Sequence, residues 1–128
     1  MEAKKLMIGN WVEYCGKYFQ IMDILTLRNY PKFTIQRVDN GEPFTIYGVR
    51  DVDPIPLNNE IVEKNSEGTI TRIGSIGYLL SKEKRERILY SKGQYKIYIP
   101  GIGEFDIEHV HQLQNILTVH EIDKEIVL

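Results

Sequence analysis

The chain has 128 residues, 42% apolar and 27% charged, with a net charge of −2. That suits one small soluble domain or two very small ones, with no global attraction to nucleic acid or an anionic membrane. No apolar run approaches the ~20 residues of a membrane helix, the first ten residues lack a signal-type apolar segment, and the single Cys15 cannot close an internal disulfide, so the expected location is cytoplasmic.

The first half reads as β. Trp11 to Cys15 alternate, then Gly16-Lys17 turns the chain into Tyr18, Phe19, Ile21, Ile24, Leu25 and Leu27, a hairpin pattern. Asn29-Tyr30-Pro31 breaks that run, because proline lacks a ladder donor. Phe33, Ile35 and Val38 make a third run, Asp39-Asn40-Gly41 a tight turn, and Phe44, Ile46, Tyr47 and Val49 a fourth. Short strands at this spacing predict a small SH3-like β-barrel over 1–57, by analogy of pattern.

In "VDPIPLNNEIVEK" the two prolines exclude a central strand. Asn58 is a good N-cap, Glu60 suits the first helical turn, and Leu57 and Val62 stand at hydrophobic-staple positions, so a short helix is predicted over Asn59–Lys64. From Thr69 to Ile99 the pattern returns to β. "GSIG" (74–77) and "PGIG" (100–103) read as turns, since neither has the spacing of a phosphate-binding loop. Tyr78–Ser81 is a short strand, and Ile88–Ser91 and Gln94–Ile99 face each other across Lys92-Gly93. In the latter, Tyr95, Ile97 and Ile99 share one face and Gln94, Lys96 and Tyr98 the other. Phe105–Ile107 is a further strand, residues 108–120 an amphipathic helix, and Glu125–Leu128 a terminal strand. Residues 58–128 thus form an α+β region, packed with the first as one unit.

Charge is unevenly spread. Residues 1–67 carry 8 basic and 10 acidic side chains, 68–99 carry 7 and 2, and 100–128 carry 1 and 6. The basic middle and acidic end are expected to neighbour each other in the fold. The alternative is a basic face for an anionic partner.

All three histidines fall in "HVHQLQNILTVH" (109–120). On a helix, His109 and His120 join Val110, Leu113, Ile116 and Leu117 on one arc, with His111, Gln114, Asn115 and Thr118 opposite. His109 and His120 stand ~16 Å apart along the axis at ~1.5 Å per residue, too far to share a metal. Were 104–111 extended instead, His109 and His111 would point the same way, as a two-ligand fragment. The helical reading puts His109 and His120 at the core edge and leaves His111, Gln114 and Asn115 as a polar face for a partner. Cys15 has no local activating group and reads as structural. No catalytic residue, metal ligand or cofactor is assigned.

"KEKRERILYSKGQYKIYI" sets Lys82, Lys84, Arg85, Arg87, Lys92 and Lys96 among Tyr90, Tyr95 and Tyr98, a mixture that grips phosphates and stacks bases. Glu83 and Glu86 dilute it, and lysines also protect exposed hairpin edges.

Three stretches, "LMIGNWVEYCGKYFQIMDI", "VDPIPLNNEIVEK" and "HVHQLQN", together resemble a family of small uncharacterised proteins encoded in phage and mobile-element regions of Bacteroidetes-type gut anaerobes. An I-G-N start, a P-I-P-L helix start and a V-H-Q-L-Q-N helix recur in it. The chain departs after Asn115, where the family usually has an aromatic and a Leu-Thr-Gly turn. The resemblance implies an intracellular accessory protein of a mobile element and carries over no functional residue.

The sequence therefore predicts a non-enzymatic binding or adaptor module without cofactor. A protein partner or self-association is expected. Nucleic-acid binding through the basic hairpin 82–98, by Lys82, Lys84, Arg85, Arg87, Lys92, Lys96 and Tyr98, is the alternative.

Overall fold

The computed structural model describes residues 6–27, 30–37, 43–47, 52–72 and 74–128. The chain is α+β and divides into two compact units, Met1–Ile55 and Pro56–Leu128. Asn29, Val38, the Asp39-Asn40-Gly41 turn and Val49 lie outside the described residues.

The first unit is an antiparallel sheet of β1 (Trp11–Tyr14), β2 (Lys17–Leu27), β3 (Tyr30–Arg37), β4 (Phe44–Tyr47) and β5 (Val52–Pro54), ordered β4-β3-β2-β1-β5. Among the described residues the sheet is open. The β1–β2 turn is Cys15-Gly16, one residue earlier than the sequence suggests. Both residues have positive φ, 51° and 76°, the two-residue turn whose twist suits a hairpin. Pro31 does not break the sheet: it lies in β3 opposite Thr26, just before the stretch that β4 pairs. Pairing of Val12 with Phe19 and Ile21 with Ile35 sets these four on one face. Leu6 and Val52 join them in the core, with Tyr14 packed edge-on to Phe19 at 5.8 Å. A bulge between Ile21 and Asp23 lets the long β2 bend.

Ile8-Gly9-Asn10 is the joint that starts this sheet. Gly9 turns with φ +94°, and the buried Asn10 side chain accepts the Met7 N–H at 2.7 Å. Gly9 N–H donates to Ile21 O, and Ile21 N–H to Asn10 O.

The second unit holds α1 (Asn59–Lys64), β6 (Gly68–Arg72), β7 (Ser75–Leu79), β8 (Arg87–Ser91), β9 (Gln94–Ile99), β10 (Gly103–Ile107) and α2 (Val110–Val119). Asn58 caps α1, its side chain accepting the Ile61 N–H at 2.8 Å. The strands form an antiparallel meander in chain order, with Lys92-Gly93 a turn of two positive-φ residues. Tyr78, Leu80, Ile88, Ile97, Ile99 and Ile107 are buried on the inner face. Both helices lie on that side. The Tyr95 hydroxyl donates to Asn59 of α1, and the His120 ring lies 5.3 Å from that of Phe105.

Residues preceding the two helices pair with each other. Pro56 bridges His109, and Leu57 N–H donates to Glu108 O at 2.9 Å. His109 is therefore extended (φ −130°) and caps α2 instead of belonging to it, so the helix is shorter than the predicted 108–120. Gln112 fixes this turn by accepting the Glu108 and His109 N–H groups. At the other end Ile122 N–H reaches Leu117 O and Glu121 N–H reaches Thr118 O, with Glu121 at φ +56°. This is a Schellman stop without glycine.

Two further expectations are corrected. "GSIG" is not a turn: only Gly74 turns, and Gly77 sits inside β7 opposite Leu89. Glu125–Leu128 is not a strand. The tail is held by the buried Asn65, whose side chain accepts Val127 N–H (2.7 Å) and donates to Val127 O (2.8 Å), taking the place of a partner strand. The same amide donates to Ile61 O, and Ile126 is 1% exposed.

Candidate partner-binding face

Strand alternation and register set the outer face of the second sheet. Arg87 pairs with Leu79 and Tyr98, and Tyr98 with Glu104. One row on, Ile70, Gly77, Leu89, Lys96 and Asp106 lie abreast. Gly77 supplies no side chain, so the middle of the face dips to backbone. A Cβ there would meet Ile70 O and Leu89 Cδ2 at 3.5 Å, ordinary contact.

The dip opens into two lobes that share Ser75 and Leu89. The first, about 260 Å³, lies over Gly77 and is bordered by Ile70, Arg87, Tyr98 and Glu104. The second, about 310 Å³, is bordered by Ser91, Lys92, Gln94 and Lys96. Arg87 holds its guanidinium 4.7 Å above the Tyr98 ring centre, a cation–π contact. Lys96 stands 3.8 Å from Asp106, both well exposed, so the pair is loose and leaves Lys96 available. This contact joins the basic middle to the acidic end of the chain across β9 and β10.

The basic residues predicted from sequence fall into two groups. Arg87, Lys96 and Tyr98 lie on the outer face, with Lys92 at its end. Lys82, Lys84 and Arg85 are exposed in the β7–β8 turn, which Ser81 organises by accepting the Arg85 N–H on its carbonyl and the Lys84 N–H on its hydroxyl. Tyr90 and Tyr95 point inward and pair with each other, ring centres 4.8 Å apart. The alternation that puts the cations outside therefore removes two of the three tyrosines from them.

The helical polar face is corrected. His111 is 4% exposed, on the buried arc with Val110, Leu113 and Leu117, and its ring stacks on His109 at 5.8 Å. Ile116 is only half-buried. The buried arc runs through Val110, Leu113 and Leu117 to His111, and Ile116 lies at its other edge. Gln114 and Asn115 are half-buried, and the Thr118 hydroxyl donates to the Gln114 carbonyl. Among the described residues no cluster of three or more His, Cys, Asp or Glu side chains is placed to hold a metal ion.

Ile70, Ser75, Gly77, Leu89, Gln94 and Glu104 belong to this face and carry no motif. The available signal was a lone glycine inside a strand pattern, which marks a close approach or a missing side chain. Among the described residues no helix is long and apolar enough to cross a membrane. No protein-family model, curated protein or solved structure matches the chain.

Proposed function

We propose that the protein is a non-enzymatic binding module whose partner is a protein docking on the outer face of β6–β10. The observation that carries this reading is the dip over Gly77, lined by apolar Ile70 and Leu89 beside charged Arg87 and Glu104. Apolar side chains set beside charged ones are the ordinary make-up of a protein interface. The N-terminal unit is read as a small barrel of SH3 type. The order β4-β3-β2-β1-β5 and the bulge in the 11-residue β2 support that reading. The resemblance of "IGN", "PIPL" and "VHQLQN" supports an accessory role in a phage or mobile element, in the cytoplasm.

One observation favours nucleic acid as the second reading: Arg87 on the face adjoins the exposed Lys82, Lys84 and Arg85 turn. Against it, Tyr98 is the face's one tyrosine within 82–98, and Arg87 already covers it. The test captures partners from host lysate with and without nuclease, on wild type and Leu89→Asp. Capture that survives nuclease and is lost in Leu89→Asp supports the protein reading. Capture abolished by nuclease, or unchanged by Leu89→Asp, refutes it.

A further inference from the structure

The two lobes differ in charge. In the first, Arg87 is offset by Glu104, and its guanidinium is engaged by Tyr98. In the second, Lys92 and Lys96 meet Ser75, Ser91 and Gln94, and among the described residues no carboxylate lines it, Asp106 meeting Lys96 from outside. The first lobe spans the rows of Arg87 and Leu89 and the second those of Leu89 and Ser91, an offset of two residues along β8. On an extended chain, residues two apart point the same way and stand ~6.8 Å from each other. An extended segment lying over the face parallel to β8 thus offers one side chain to each lobe. The first lobe, about 260 Å³, lies below the ~300 Å³ at which ligand pockets start, and the second, about 310 Å³, only reaches it, so each suits a single side chain.

We infer that this face recognises an extended peptide carrying an aliphatic residue and, two positions away, an aspartate or glutamate. The aliphatic side chain sits over Gly77 between Ile70 and Leu89. The carboxylate enters the second lobe and accepts hydrogen bonds from the Lys92 and Lys96 ammonium groups, with Lys96 exchanging its loose contact to Asp106 for the ligand. The inference rests on the outer face being the binding surface and adds the chemistry of the occupant.

The test selects a displayed random heptapeptide library on the whole chain, then measures binding of enriched synthetic peptides by fluorescence anisotropy. The expected enrichment is aliphatic-x-acidic. Changing the peptide's acid to its amide, or Lys92→Glu with Lys96→Glu in the protein, weakens binding roughly tenfold or more. Raising salt from about 50 to about 500 mM weakens it too. Gly77→Leu fills the first lobe and abolishes binding. Gly77→Ala, whose added carbon meets only ordinary contacts, keeps the fold and gives a smaller loss. Peptides that bind without this pattern but are lost in the Gly77 variants leave the face standing and overturn the occupant. Peptides indifferent to every variant overturn both. Failure to enrich any peptide overturns the inference, while the lysate capture above still decides the face.

Discussion

Asn65 is the residue whose loss tests how the C-terminal tail is held. Its amide makes three main-chain hydrogen bonds, to Ile61 O at 2.8 Å and to Val127 O and N–H at 2.8 and 2.7 Å, from a buried position. At a net ~1 kcal/mol each, Asn65→Ala removes about 3 kcal/mol. The Val127 groups are only part-buried and regain some water, so about 2–4 kcal/mol is expected, a drop of roughly 10–20 °C in Tm for a unit of this size. Urea titration gives the loss, and amide exchange at Val127 locates it: that N–H should lose its protection while Ile97 and Ile88 keep theirs. Ile126→Ala alone should cost about 2–4 kcal/mol, because Ile126 is almost wholly enclosed. In the Asn65→Ala background it should cost at least about 1 kcal/mol less, since the tail that buries it is already released. A loss below about 0.5 kcal/mol for Asn65→Ala, with Val127 still protected, would refute the latch.

Three other outcomes follow from single positions. Glu121→Gly relieves a left-handed backbone at the end of α2 and should raise stability by about 1 kcal/mol in urea titration. Glu86 is buried opposite Leu80 with Oε2 lacking a hydrogen-bond partner among the described residues; Glu86→Met should therefore raise the urea midpoint by about 1–3 kcal/mol equivalent with m unchanged. The Tyr78 phenol is pushed above its ordinary value of 10.0 by burial, then by Glu63 and Tyr90, and Tyr95 by burial, then by Tyr90 and Tyr78. Above pH 10 the unfolded chain releases protons that the native chain keeps, so stability should fall as pH rises from there, and Tyr78→Phe should flatten the fall in melts at stepped pH.

What the sequence disclosed was local. Asn58 and the staple positions marked α1 because capping involves groups a few residues apart. Lys92-Gly93 and the alternation through Tyr95, Ile97 and Ile99 marked β8 and β9 for the same reason. What it concealed was long-range. Nothing near Asn65 announces a partner 62 residues on. Nothing in "HVHQL" says that Pro56 holds His109 extended, or that the side of α2 bearing His111 is the one that packs inward. Pro31 and Gly77 look like strand breakers until the neighbouring strands are known. The candidate face was half legible: Arg87, Lys96 and Tyr98 stand out through charge and interleaved aromatics, whereas Gly77 and Leu89 carry no chemistry of their own.

The stretches that stand out in the sequence turn out to be joints. Ile8-Gly9-Asn10 starts one sheet, and Pro56-Leu57 and Glu108-His109 pair to set the starts of two helices, with Gln112 closing the second. Each places a residue type that few others can replace: glycine at positive φ, asparagine or glutamine accepting main-chain N–H groups, proline where no donor is needed. Such positions draw the eye because their chemistry is specific, and here that specificity is spent on the backbone. A face made from alternate residues of five strands has the opposite character. Each strand contributes one or two ordinary side chains, and specificity arises from which neighbours the register brings abreast. For this fold, substitutions at the joints should change stability, and substitutions at Gly77, Leu89 and Lys96 should change binding while leaving stability nearly intact.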